Sequence, residues 1–366
     1  MIKNLQQYFP MIRSREEVER TIAERADLQK IFGSWEIEQK EEFLDFCTGV
    51  KGIKFLYDFM FKEILNPEIA PDRINRLLSL LLGQNIKVLH VLPNDSTRIA
   101  DENALLVTDL VVELENGSIA NVEIQKIGYC FPGQRGACYS ADLLLRQYKR
   151  VRGRNKTFNY KDIKDVYTIV FFEKSPREFR EFPEEYVHYF QQRSNTGLEL
   201  ELLQKYVFVP LDIFREKLQD KSIENELDAW LAFLGIDDPE IVAAIIERYP
   251  DFKPMYEYAY DICRNIEGVM NMFSEELREL DRNTTQYMID ELQELVDRKK
   301  EELQITKEEL QTIEGKLQTA KDKLQTTEDK LQITEEELQQ TQSQLIQKES
   351  RINELLFEIA RLKGEM

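Results

Sequence analysis

Residues 107 to 125, VTDLVVELENGSIANVEIQ, constrain the fold more than any other stretch of the chain. They read as two apolar strands around a tight turn. Yet Asp109, Glu123 and Gln125 stand where a sheet interior calls for aliphatic side chains. The turn decides which side chains share a face, because a strand alternates faces with period two. A two-residue loop at Asn116 and Gly117 pairs Asp109 with Ile124 and Glu123 with Leu110, mixing polar and apolar on both sides. A three-residue loop with Gly117 left-handed pairs Leu110 with Val122 and Val112 with Ala120 instead. That register separates the faces, so it is the one we expect. It sets Asp109 across from Glu123, with Gln125 two residues further along the same face.

Like charges opposite each other destabilise a sheet. At a separation of ~5 Å and an effective dielectric of ~20 the repulsion is on the order of 3 kcal/mol. A shared proton, a bound cation or splaying into water relieves it, and a divalent cation fits best. Mg²⁺ takes oxygen ligands, is held by one or two carboxylates, and keeps waters that can be deprotonated or shared with phosphate.

Around the hairpin the chain reads as α/β with a mixed sheet. Ser14 to Glu17 forms a capping-box start among the short helices of the first fifty residues. Helices are predicted over KFLYDFMFKEIL (54–65) and PDRINRLLSLLLGQ (71–84), the second closing on Gly83. A strand follows at 86–92, then the hairpin, then a helix over RGACYSADLLLRQYKRV, whose apolar positions keep helical spacing. Strand signals return at 165–173, YVHYFQQ and LQKYVFVPLD. From about residue 216 the pattern is helical, with NELDAWLAFLGI and PEIVAAIIERY as amphipathic segments. The expected division is a helical extension at 1–50, an α/β core at 51–215, a helical subdomain at 216–295 and a coiled coil at 296–366.

The tail repeats every seven residues: Leu303, Leu310, Leu317, Leu324, Leu331, Leu338, Leu345, Ile352 and Ile359 occupy one heptad position. Such a repeat calls for a left-handed coiled coil. Its companion position is weak, with Thr306, Ile313, Ala320, Thr327, Thr334, Thr341 and Lys348, and turns apolar only at Leu355 and Leu362. The expectation is a long helix that pairs marginally with a second copy, giving a homodimer.

Composition removes several classes. No apolar run is long enough to span a membrane, and the first twenty residues lack the apolar core of a secretory signal. Four cysteines at unpatterned spacing and only two histidines argue against a zinc centre or a disulfide framework. A reduced, cytoplasmic protein is expected. The formal charge of −19 opposes indiscriminate coating of nucleic acid. One run, RQYKRVRGRNK at 146–156, nevertheless holds six basic residues and no acidic one.

An Asp at the start of one strand, an acidic-x-(Lys or Gln) triplet on the next, and then a helix resembles the PD-(D/E)XK nuclease pattern. More narrowly, the chain resembles the transposase-like, recombination-promoting nucleases of that superfamily. Those members commonly carry Gln where the wider superfamily has Lys, as NVEIQ does here. YDFMFKEIL resembles their opening helix motif, Asp-x-x-Phe-Lys. RGACYSADLLLRQY resembles the post-hairpin helix, with Arg135, Tyr139 and Gln147 in register, VYTIVFF the last core strand, and ELDAWLAFL the helical follow-on. The likeness covers roughly residues 52 to 295, leaving the first fifty residues and the repeat unexplained.

The resemblance implies a restriction-endonuclease-like core of αβββαβ order and Mg²⁺-dependent cleavage of DNA, with Mn²⁺ as the alternative ion. Asp109 and Glu123 would be metal ligands, and Gln125 would orient the attacking water or touch the scissile phosphate. Asp58 on the opening helix, with Glu63 as its nearby rival, would be a further acid, unless Asp58 pairs with Lys62 four residues on. Lys126 is no substitute for the missing lysine, because alternation aims it at the other face. Arg135, Arg146, Lys149, Arg150, Arg152 and Arg154 are the expected contacts to DNA phosphates. The rival expectation is a weak or inactive nuclease fold that works as a coiled-coil DNA-binding or assembly module.

Overall fold

Apolar strand segments bounded by turn residues build a six-stranded mixed sheet with helices on both faces. The computed structural model describes residues 4–92, 110–126, 132–154, 157–219, 222–362 and 364. The strands are β1 (Val88–Val91), β2 (Leu110–Leu114), β3 (Ile119–Gln125), β4 (Val166–Phe172), β5 (His188–Phe190) and β6 (Gln204–Pro210). Their spatial order is β1-β2-β3-β4-β6-β5. Strands β1 to β3 run antiparallel, β3, β4 and β6 run parallel, and β5 closes the far edge antiparallel to β6.

Three helices precede the core: α1 (Arg15–Ala23), α2 (Ala26–Ser34) and α3 (Ile37–Cys47). The predicted capping box starts α1, with Ser14 Oγ accepting from the Glu17 amide at 3.3 Å and Glu17 Oε2 accepting from the Ser14 amide at 3.0 Å. Next come α4 (Asp58–Ile64) and α5 (Pro71–Leu82). The predicted start of α4 at residue 54 is four residues early. Phe55 and Leu56 are pulled into the core, Phe55 stacking on Phe233 at 4.0 Å, so this stretch turns before the helix begins. Gly83 ends α5 in the left-handed conformation, φ +63, as expected of a helix C-cap.

Helix α6 (Pro132–Arg154) crosses one face of the sheet. Then come α7 (Leu211–Gln219), α8 (Glu226–Gly235), α9 (Pro239–Arg248), α10 (Lys253–Cys263) and the 97-residue α11 (Ile266–Leu362). Beneath α6, Val111, Ile119 and Val166 pack on Leu143. The opposite face, with Val112, Ala120, Val122, Ile169 and Phe171, joins the main core. That core also takes Leu5 and Phe9 from the N-terminal segment and Trp230, Tyr256 and Phe273 from the later helices.

Two units emerge, one through Glu291 and a second from Leu292 onward. In the second, the heptad leucines lie open along the helix, Leu303 at 55 % and Leu331 at 60 % exposure. The threonines of the companion position turn inward on their own helix. Thr306, Thr327, Thr334 and Thr341 donate to carbonyls four residues back at 2.8–2.9 Å. No helix among the described residues is long and apolar enough to cross a membrane.

The hairpin takes the three-residue loop. Leu114 accepts from Gly117 and donates to Ser118, both at 2.9 Å, and Gly117 has φ +85. Leu110 pairs with Val122, Val111 with Asn121 and Val112 with Ala120. The amide of Gln147 on α6 then fastens this turn to the sheet. Its Nε2 donates to the Gly117 carbonyl and its Oε1 accepts from the Lys164 amide just before β4, both at 2.9 Å.

A Cβ at Gly117 would meet only Lys164 Cγ, at 3.4 Å, so the cost of Gly117→Ala is set by the backbone. We expect a loss of about 1 kcal/mol in urea unfolding. An unchanged midpoint would show that the turn tolerates the left-handed conformation without glycine.

Candidate active site

Strand alternation carries Asn121, Glu123 and Gln125 onto the face that Ile119 presents to α6, and parallel pairing sets Thr168 beside Asn121. All four are buried, Glu123 at 3 % and Gln125 at 4 % exposure. An apolar strand pattern thus carries a polar stripe beneath a helix. Burying such groups is costly unless each finds a partner.

Some partners are present. Asn121 Nδ2 donates to Glu123 Oε2 at 3.0 Å. From α6, the buried Tyr139 hydroxyl hydrogen-bonds Glu123, and Arg135 lies 5.4 Å from the Tyr139 ring centre while hydrogen-bonding its hydroxyl. Burial, reinforced by the Glu123 charge and against the pull of Arg135, pushes the Tyr139 phenol well above its ordinary value. Tyr139 therefore keeps its proton and donates a hydrogen bond to Glu123. Other oxygens have no partner among the described residues: Asn121 Oδ1, Gln125 Oε1 and Thr168 Oγ1.

Asp109 lies outside the described residues, so the structure gives no position for the second carboxylate. Among the described residues no three His, Cys, Asp or Glu side chains are grouped to hold a metal ion. The donors that are present suit a hard cation in kind. They comprise one buried carboxylate and two buried amide oxygens without partners, all on one face of β3.

On the other side of the sheet, Lys126 follows β3 and pairs with the buried Glu276 of α11, its ammonium 4.7 Å from the Tyr57 ring centre. Glu276 Oε2 also accepts from the Asp58 amide at 3.0 Å, capping α4. Lys126 therefore faces away from Glu123, as alternation requires. The Asp58 carboxylate holds Lys62 at 2.8 Å.

The basic run divides by helix face. Arg146 pairs at 2.6 Å with the buried Asp142 and is itself 11 % exposed, and Arg150 pairs with Glu113 of β2. His90 Nε2 lies 3.1 Å from the same Glu113. Lys149 and Arg152 point to solvent, while the Arg154 side chain lies outside the described ones. Residues three and four apart share a face, so Arg146 and Arg150 continue the buried line of Tyr139 and Leu143.

Reading the sequence missed Asn121, although its place two residues before Glu123 on one strand was signal enough. It also missed Glu276, which lies 150 residues further along the chain and has no local pattern.

A family model described as PD-(D/E)XK nuclease family transposase matches residues 55–297. The chain belongs to this family. No curated protein and no solved structure matches it. The matched segment of this PD-(D/E)XK family member runs from just before α4 into α11, and so takes in every strand of the sheet and all of α6.

Removing Glu276 would strand the Lys126 ammonium in a nearly dry site. Glu276→Ala is expected to cost on the order of 3 kcal/mol in denaturant unfolding, whereas Glu276→Leu combined with Lys126→Met should recover most of it. Equal stability of Glu276→Ala and the parent would show that the pair does not anchor α11.

Proposed function

We propose that this protein is a Mg²⁺-dependent DNA endonuclease that hydrolyses phosphodiester bonds, with Mn²⁺ as an alternative ion, acting in recombination or mobile-element chemistry. The observation that carries this reading is the Gln125 amide oxygen, buried and without a described partner, two residues from the buried Glu123 in a family whose fold is that of a nuclease.

The pairing of Leu110 with Val122 supports the register in which Asp109 would stand opposite Glu123. We assign Asp109 and Glu123 as the metal ligands. A bound divalent ion would lower the pKa of a water and neutralise charge on the phosphate. Gln125, whose oxygen has no described partner, would orient the attacking water or touch the scissile phosphate. Tyr139 and Asn121 fix the orientation of Glu123 by donating to it. Arg135 supplies positive charge where the wider superfamily uses lysine, since Lys126 is held on the opposite side. Lys149 and Arg152, with Arg154, contact the DNA backbone. Arg146 is engaged within α6 by Asp142, Arg150 ties α6 to Glu113 of β2, and Asp58 is a helix-end residue rather than a ligand.

The three described cysteines are free thiols, which suits a reducing cytoplasm. The open heptad leucines, with threonines already satisfied on their own helix, favour a homodimer through residues 300–366. A chain ended at Arg298 should scatter light as a monomer where the full chain scatters as a dimer, and an unchanged association state would refute that role.

Supercoiled plasmid should be nicked or linearised with Mg²⁺ and untouched without it. Asp109→Ala and Glu123→Ala should each abolish cutting while remaining folded. A folded variant that cuts as fast as the parent would sink the assignment.

The commitment of Lys126 to Glu276 also favours a second reading, a nuclease fold retained as a binding or assembly module. Calorimetric titration separates the two: Mg²⁺ or Mn²⁺ should bind the parent and not Glu123→Ala, and a parent without a site would leave the module reading.

A further inference from the structure

The far end of α6 carries a group of rings that the hydrolysis chemistry does not use. Tyr148 of α6 meets Phe158 edge-on at 5.4 Å, and Phe158 meets Tyr160 edge-on at 5.0 Å. Tyr148 and Tyr160 lie within 18° of parallel, their centres 6.4 Å apart. This is not a closed core cluster, because Tyr160 is 73 % exposed. A contiguous group of rings with one face open to water marks a contact surface, whereas a lone exposed side chain does not.

The charges beside the rings are cationic. The Arg152 guanidinium lies 5.7 Å from the Tyr148 ring centre and hydrogen-bonds its hydroxyl. Lys149 and Lys161, each next in sequence to one of the tyrosines, are exposed. A quaternary ammonium guest, the usual occupant of an aromatic corner, would be repelled by these cations. A planar, uncharged ring tied to a phosphate chain suits both the aromatic faces and the charges. Strand-tracking proteins combine the same two elements, stacking platforms and basic residues along the backbone.

Tyr148 lies nine residues beyond Tyr139 on the same helix, about 14 Å along its axis and half a turn around it.

We infer that Tyr148, Phe158 and Tyr160 form a stacking platform for an unpaired nucleobase, making DNA with single-stranded character the preferred substrate. This inference rests on the DNA-cleaving reading for its ligand. It fails separately, because its test reads binding with no metal present.

The full-length protein is titrated in EDTA against a fluorescein-labelled oligothymidylate, a duplex and an abasic strand of the same length, by fluorescence anisotropy. The parent should bind the oligothymidylate more tightly than the other two. Tyr160→Ala, on an exposed side chain, should fold normally and weaken that binding by between about fivefold and a hundredfold, leaving the abasic strand unaffected. Tyr160→Trp should restore or exceed parental affinity. The inference is overturned if Tyr160→Ala binds like the parent, if the abasic strand binds as tightly as the oligothymidylate, or if the parent prefers the duplex. Plasmid cutting by the parent is scored in parallel. Its absence would strike the nuclease reading while leaving the binding comparison intact.

Discussion

The pairing of β2 with β3 governs what the rest of the structure can do. A one-residue slip would send every side chain of a strand to the opposite face. Gly117 prevents it by adopting a backbone conformation that closes a three-residue loop. Gln147 reinforces the same choice from α6, satisfying the turn carbonyl on one side and the approach to β4 on the other. One buried amide thereby ties together the turn, the covering helix and the next strand. Asn121, Glu123 and Gln125 face α6 because of that register.

Polar side chains under α6 are a liability that the fold meets only in part. Glu123 receives Asn121 and Tyr139, and Asp142 receives Arg146. The amide oxygens of Asn121 and Gln125 remain without a described partner. Each such group costs about 1–3 kcal/mol relative to a hydrogen-bonded one. Local rules of stability are broken in this way most often where a chain does chemistry. The opposite face of the sheet shows the contrast: there a buried ion pair, Lys126 with Glu276, is coupled to a helix cap and an aromatic ring.

The helix α6 sorts charges by its own geometry. In the linear sequence, Arg146 to Arg154 form one basic patch. Wound into a helix, Arg146 and Arg150 follow the buried line to Asp142 and Glu113, while Lys149 and Arg152 remain toward water beside the aromatic rings. A patch counted by composition thus becomes two different things, an internal tether and an external surface.

The sequence by itself determined the strand and helix segments, the three-residue turn, the capping of α1 and α5, and the heptad helix. All of these follow from local backbone preference or from periodicity along the chain. It also made Glu123 and Gln125 legible as residues of one face, because alternation in a strand is a local property. Tertiary structure alone decided that Glu276 would reach Lys126, that Tyr139 would donate to Glu123, and that Arg150 would be taken by Glu113 of β2. It also decided that the first fifty residues and the later helices would share one core with the sheet. Those outcomes depend on which surfaces meet when distant segments pack. Buried charges find whatever opposite charge the packing brings near, and no spacing along the chain encodes it.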